Sequence, residues 1–325
     1  MFLERLLMLA LLIPAMALAW EPTRPIIIGI GNAPGSGNEI AFRELASIVQ
    51  KSNPKVTFII ENRPGADSVV NMNQLMIQPN NGYYAAIPSH MSTYITNDIW
   101  QVTVKKFSHD TFTDVMSIGK SPLVLIAHPM STINTPRDFE QLVQKTIKPV
   151  NIAIGGGAHR MAFEYFLAKA NGNAVKLKTI NFQGPAQAVT SVLGYNVSFG
   201  TEFGIMPIAI AKPMIDAGRI KAIGFTGNRT LSSYPNIPLL ATVTPGIDVY
   251  AGWAIALPPN TPWDIVDWYV KQFGNAINTP EYHVWMQANQ VFIDDSELTP
   301  AGFRRFINQL RSNFIPIAKT LKLEE

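Results

Sequence analysis

The chain of 325 residues contains no cysteine. That excludes disulfides, thiol nucleophiles, Cys-ligated metal centres and a lipid anchor on a mature N-terminal cysteine. Charge is sparse: charged residues make up 15% of the chain and the formal net charge is +3. Basic residues occur only as short pairs such as Lys105-Lys106 and Arg304-Arg305, so the stripe of a nucleic-acid binder is missing. His90, His109, His128, His159 and His283 lack metal-ligand spacing, and neither His-Glu-x-x-His nor Gly-x-Ser-x-Gly occurs. Asp114 to Ser121 ends like a phosphate-binding loop, but its first glycine position holds Asp114 and Pro122 stands where the helix should start. Gly35-Ser36-Gly37 lacks the third glycine of a dinucleotide fingerprint, whose place is taken by Ile40. No metal and no cofactor is therefore expected.

Leu6 to Ala19 is almost wholly apolar, is broken by Pro14, and closes Ala17-Leu18-Ala19 before Trp20. This is the pattern of a secretory signal over residues 1–19, too short for a membrane span. A soluble exported chain without cysteine suits a bacterial periplasm.

One stretch organises the rest of the chain. Ile26 to Ile30 is an apolar, β-branched run that predicts a buried strand. Gly31-Asn32-Ala33-Pro34-Gly35-Ser36-Gly37-Asn38 is a glycine-rich loop, and Ile40, Leu45, Ile48 and Val49 open a helical pattern. Free N–H groups at such a helix start favour an anion. Strand, glycine loop and helix recur in Val150 to Ile154, Gly155-Gly156-Gly157-Ala158-His159-Arg160 and the run with Phe163, Phe166, Leu167 and Ala170. Between and beyond them, strands are expected at Val56–Ile60, Tyr83–Ile87, Met116–Ile118, Leu123–Ala127, Ile180–Phe182, Val197–Phe203, Ile220–Phe225 and Tyr250–Leu257. Helices are expected at Val69–Ile77, from Thr135-Pro136, at Gln187–Leu193, Ile208–Ala217, from Trp263, and at Pro300–Leu321. Ile265, Trp268, Tyr269 and Phe273 form a core stripe. This alternation predicts an α/β protein with largely parallel sheets and ligand sites at strand ends. The length predicts two lobes, with a crossing at Gly119–Pro122.

The chain resembles the periplasmic solute receptors of tripartite tricarboxylate transporters, the Bug proteins, from about Arg24 to Leu321. The resemblance is carried by Ala33-Pro34-Gly35-Ser36-Gly37-Asn38-Glu39, Glu61-Asn62-Arg63-Pro64-Gly65-Ala66, Pro79-Asn80-Asn81-Gly82-Tyr83 and Leu257-Pro258-Pro259-Asn260-Thr261-Pro262, in that order. It implies a two-lobed periplasmic binding protein of type II: residues 20–120 and 250–325 in one lobe, 121–249 in the other, and the ligand between them. It implies that a small carboxylate is held by Gly35, Ser36, Gly37 and Asn38 from the first lobe. From the second it implies Gly156, Gly157, Ala158 and His159, with Gly184, Pro185 and Ala186. Positions of the family's other site residues fall on Ser92, Thr93, Arg160 and Glu202. Ser89 stands beside them at the same strand end. Arg160 is a candidate counter-charge or a solvated helix residue; Glu202 is a candidate acceptor or a partner of Arg160. Asn62-Arg63 is expected to be a structural turn.

The function implied is capture of a carboxylate and delivery to membrane transporter subunits, without catalysis. Two alternatives stand beside it: a ligand-binding partner of a periplasmic sensor, and an exported hydrolase using Ser89 or Ser92 with His90 or His159. For the last, adjacent Ser89 and His90 on one strand end are expected to point apart.

Overall fold

The computed structural model describes residues 20–170, 177–194 and 200–320. The expected signal segment and the first part of the strand expected over Val197–Phe203 lie outside them.

Among the described residues nine strands follow in chain order: β1 (Ile26–Ile30), β2 (Phe58–Asn62), β3 (Tyr84–Ile87), β4 (Thr113–Ala127), β5 (Val150–Ile154), β6 (Leu177–Asn181), β7 (Thr201–Pro207), β8 (Lys221–Phe225) and β9 (Tyr250–Leu257). In the first lobe's sheet β1 lies between β2 and β3. Ile26, Ile28 and Ile30 are wholly buried, and β2 and β3 pair with β1 in parallel, as crossover helices require. Those crossovers are α1 (Gly37–Ser52) and α2 (Val69–Leu75). β9 then runs antiparallel to β3 and to β4. In the second lobe β5 pairs in parallel with β6 and β7, while β4 receives β7 and β8 antiparallel.

β4 belongs to both sheets. It pairs with β9 as far as Pro122↔Tyr250 and with β7 from Leu123↔Pro207. The sequence predicts two strands interrupted at Gly119–Pro122; the structure has one strand of 15 residues. The lobes are joined by a change of partner rather than by a loop. Register shifts between Asp114/Met116 and between Ser117/Gly119 absorb the bend, and Gly119 sits at φ +135°, which favours glycine. Lys120, in the rejected phosphate-loop motif, forms a buried ion pair with Glu297.

The remaining helices are α3 (Asn97–Trp100), α4 (Pro136–Lys145), α5 (Gly157–Ala170), α6 (Pro185–Leu193), α7 (Ile208–Asp216), α8 (Trp263–Ile277), α9 (Pro280–Asn289) and α10 (Pro300–Thr320). Thr135 caps α4 as its sequence predicts: its side chain accepts from Asp138 N at 3.1 Å, and Asp138 Oδ2 accepts from Thr135 N at 2.9 Å. Ile265, Trp268, Tyr269 and Phe273 of α8 are core residues. α9 and a π-helical turn at Ser92–Thr96 have no counterpart in the sequence reading. α8 buries its stripe against α1, while α10 packs on β4 and on that π-turn. One continuous apolar core runs through both lobes, and a second cluster, with Val124, Ile126, Val189, Met206 and Phe225, fills another face of the second sheet. No helix among the described residues is long and apolar enough to cross a membrane.

Candidate functional site

Parallel strands end facing one cleft: β1, β2 and β3 from the first lobe, β5, β6 and β7 from the second. Strand ends are where open α/β sheets present loops and helix N-termini to a ligand. The cleft has two parts. An inner cavity of about 30 Å³ is lined by Ser36, Gly37, Asn38, Ser89 and Ser92 from one side and by Gly155–His159 and Pro185 from the other. That exceeds the roughly 10–15 Å³ that a single water needs. An outer cavity of about 360 Å³ is lined by Trp100, Gln101, Arg160, Asn181, Phe182 and Gln183. Asn32, Asp67 and Gly155–Gly157 line both and mark the joint between them.

Ser36 is the N-cap residue of α1, yet its side chain makes no capping bond. It is 3% exposed and its Oγ has no protein partner. A buried hydroxyl without a partner is costly, and this one belongs to a residue that lines the inner cavity. Gly35 is at φ +80°, and its N–H is already donated to Glu39 Oε2 at 3.0 Å. Glu39 also takes Asn62 Nδ2 at 3.1 Å and pairs with Arg43 at 2.6 Å. Asn62 thus has the structural part its turn predicts. Asn38 Nδ2 is donated to Asn32 Oδ1 at 3.1 Å, which fixes the loop.

Across the cleft, His159 Nδ1 accepts from Gly155 N at 3.1 Å and so caps α5 from within. The ring is neutral: burial pushes its pKa down to about 3. Arg160 lies in the outer cavity, 3.8 Å from Glu164 and over the Trp100 ring at 5.4 Å. Its Nε and the Trp100 Nε1 are both buried without a hydrogen-bond partner. Burial pulls the Arg160 guanidinium down from its usual range, against the fields of Glu164 and Asp67.

Not every expected residue reaches the cleft. Gly35 and Gly184 line neither cavity. Thr93 is fully buried on the π-turn and lines neither cavity, with its Oγ1 unpartnered. Ala186 lines a shallow surface hollow with Gln187 and Thr190. Glu202 is off both cavities at the start of β7, and the acid beside Arg160 is Glu164. Ser89 and His90 do point apart. Ser89 faces the inner cavity, while His90 lines a separate cavity of about 400 Å³ with Lys120, Tyr250 and Phe306. There His90 Nε2 is 3.5 Å from Ser117 Oγ, and burial and the charge of Lys120 push its pKa down to about 3. With His159 Nδ1 bound to Gly155, no serine–histidine pair opens on the cleft among the described residues.

The residue that sequence reasoning missed is Asp67. It follows the Glu61–Ala66 turn at the end of β2, and the signal that could have found it is an acid just past a parallel strand's C-terminal end. Its Oδ1 accepts from Gly157 N at 3.2 Å, and Thr96 Oγ1 reaches Oδ2 at 3.5 Å. Burial raises its pKa, against hydrogen bonds from Ser92, the Gly157 N–H and Thr96 and the field of Arg160. The bond to Gly157 and a backbone bond from Ala33 N to Gln183 O, at 3.3 Å, tie the two lobes together across the cleft.

Comparison with known proteins agrees with this geometry. Residues 40–319 match the family model described as tripartite tricarboxylate transporter family receptor. A UPF0065 protein of Bordetella pertussis is 24% identical over 99% of this chain and 98% of its own. Among solved structures, the periplasmic binding protein BugD has a TM-score of 0.84 at 19% identity, covering 93% of this chain and 98% of its own. MatC from Rhodopseudomonas palustris, with bound malate, has a TM-score of 0.83 at 16% identity, covering 92% and 100%. The fold is that of a two-lobed periplasmic binding protein, and the chain belongs to the tripartite tricarboxylate transporter family receptors.

Proposed function

We propose that this chain is a periplasmic receptor that closes on a small carboxylate and delivers it to the membrane subunits of a tripartite tricarboxylate-type transporter. The observation that carries the reading is the Ser36 hydroxyl. It is buried, unpartnered and set at a helix N-terminus, opposite the glycine loop of the other lobe. A guest carboxylate accepting from Ser36, with Ser89 and Ser92 within the same cavity wall, would replace donors that water supplies outside. MatC, of the same fold, holds malate, which is such a guest. Residues 1–19 direct export. Residues 20–120 with 250–325, and residues 121–249, move as the two lobes about β4 and β9. Work is done by differential affinity: the guest binds the closed form better than the open one and shifts the population toward it.

A thermal-shift screen followed by calorimetric titration with mono-, di- and tricarboxylates tests this. At least one carboxylate raises the melting temperature, and Ser36→Ala weakens its binding about tenfold or more, as loss of a hydrogen bond to a charged group predicts. Stabilisation by sugars or metal ions alone, with none by carboxylates, contradicts it.

A further inference from the structure

Asp67 stands where a guest must pass. It lines both the inner and the outer cavity, between Ser36 on one side and the unpartnered Arg160 Nε and Trp100 Nε1 on the other. Its position is held against conformational cost. Ala66, Asp67 and Ser68 have φ of 46°, 51° and 74°, three successive non-glycine residues in the left-handed region. Such strain persists only where the surroundings over-determine it, and it concentrates at functional positions. The surroundings here are explicit: Asn97 Nδ2 is donated to Asp67 O at 3.1 Å and Ser68 Oγ to Gly31 O at 3.2 Å. The carboxylate is also packed tightly. A Cβ on Gly157 would meet Asp67 Oδ2 and Thr96 Oγ1, each at 2.4 Å.

A carboxylate has about four acceptor sites. Ser92, Thr96 and the Gly157 N–H address three of them, and what remains is acceptor only. Arg160 is the single cationic side chain lining either cavity among the described residues, and Glu164 already shares its charge. A guest whose own carboxylate takes the Ser36 hydroxyl therefore brings its neighbouring atoms against a second, fixed carboxylate. If those atoms carry no N–H or O–H, as a methylene does not, Asp67 loses water without replacement. If they carry a hydroxyl or an ammonium, Asp67 takes that hydrogen. Sites built around a buried hydrogen-bonding group reject analogues that lack its partner far more strongly than apolar pockets reject a changed shape.

We propose that Asp67 is a specificity-determining residue that requires a hydrogen-bond donor, hydroxyl or ammonium, on the guest beside its carboxylate. The inference rests on the receptor reading above and names the class of guest within it. The outer cavity, whose wall includes Arg160 and Trp100, leaves room for a further acidic or polar group on the same guest, so chain length and second charge are left to that end of the cleft. Burial raises the pKa of Asp67, and a donor from the guest would oppose that shift.

Calorimetric titration of the full mature chain with two matched sets tests the point: propionate, lactate and alanine; succinate, malate and aspartate. The wild type binds the donor-bearing members of at least one set tenfold or more tighter than propionate or succinate. Asp67→Gly, which suits a left-handed φ and so spares the fold, brings the members of that set within about threefold. Asp67→Asn, isosteric but uncharged, weakens the amino member tenfold or more relative to the hydroxy member. Equal wild-type affinity within every set that binds, propionate with lactate and succinate with malate, overturns the inference and leaves the receptor reading standing. So does a preference that survives in Asp67→Gly. No binding of any of the six to the wild type, in a chain that binds no other carboxylate, overturns both.

Discussion

The two glycine loops look alike in sequence and differ in what answers their donors. In the first, Gly35 N–H meets Glu39, four residues on in the helix that follows, so the arrangement is local and does not depend on the other lobe. In the second, Gly157 N–H meets Asp67 from the opposite lobe, so the contact bridges the cleft and depends on how the lobes sit. One loop is a cap with a free hydroxyl, Ser36, beside it; the other is a latch. A loop that resembles an anion cradle can thus be occupied by the protein's own carboxylate, and the supplier's position decides whether it stabilises a helix or reports closure.

The sharpest way to break the comparison is at the glycines themselves. Gly155→Ala places a Cβ 2.5–2.6 Å from the backbone of Gly184 and Pro185, which cannot give way as a side chain can. A loss of about 3 kcal/mol is expected, at the upper end of overpacking costs. Gly35→Ala meets nothing within 4 Å and pays only for φ +80°, about 1 kcal/mol. Urea denaturation of both variants checks the order; equal losses would erase the difference between the loops.

Acid separates them next. His159 and His90 titrate near 6.5 when unfolded and are pushed down to about 3 when folded. The unfolded chain therefore binds more protons between those values. Stability from both rings is full above about pH 6.5 and falls as pH drops toward 3, by about 2 kcal/mol per ring at pH 5. His159→Gln should flatten that fall without abolishing it, because His90, beside Lys120, retains its share; denaturant midpoints from pH 7.5 to 5 measure it. An unchanged slope would mean that the ring does not stay neutral against Gly155.

Smaller effects sharpen the assignment. Glu39→Gln should cost about 1 kcal/mol, since its partner Arg43 is largely solvated, and should change carboxylate affinity by less than threefold in titration. Thr93→Val removes a buried hydroxyl that has no partner and lies off the cleft. It should be neutral or slightly stabilising, with affinity unchanged, which separates it from Ser36.

The scaffold was legible because periodicity and caps are local. β1, the helix after it, the Thr135 cap and the stripe on α8 all follow from neighbouring residues. Where pairing is non-local, reading failed: β4 continues through Gly119–Pro122 because β9 and β7 take it in turn. The cleft was legible as a set of strand ends, and Ser36, Gly37, Asn38, Ser89, Ser92, Gly156 to Arg160 and Pro185 do line it. Which donors remained free was not legible, because Glu39 and His159 satisfy Gly35 and Gly155 from one turn away. Asp67 was the least legible of all. Its place depends on three left-handed residues, and sequence rules assign that region to glycine.

The most direct test of two lobes closing on one guest is a crystal structure with a carboxylate bound. The account predicts the carboxylate between the lobes, accepting from the Ser36 hydroxyl with the second glycine loop against it. A carboxylate seated in the cavity beside His90 and Phe306, with Ser36 still unpartnered, would contradict it.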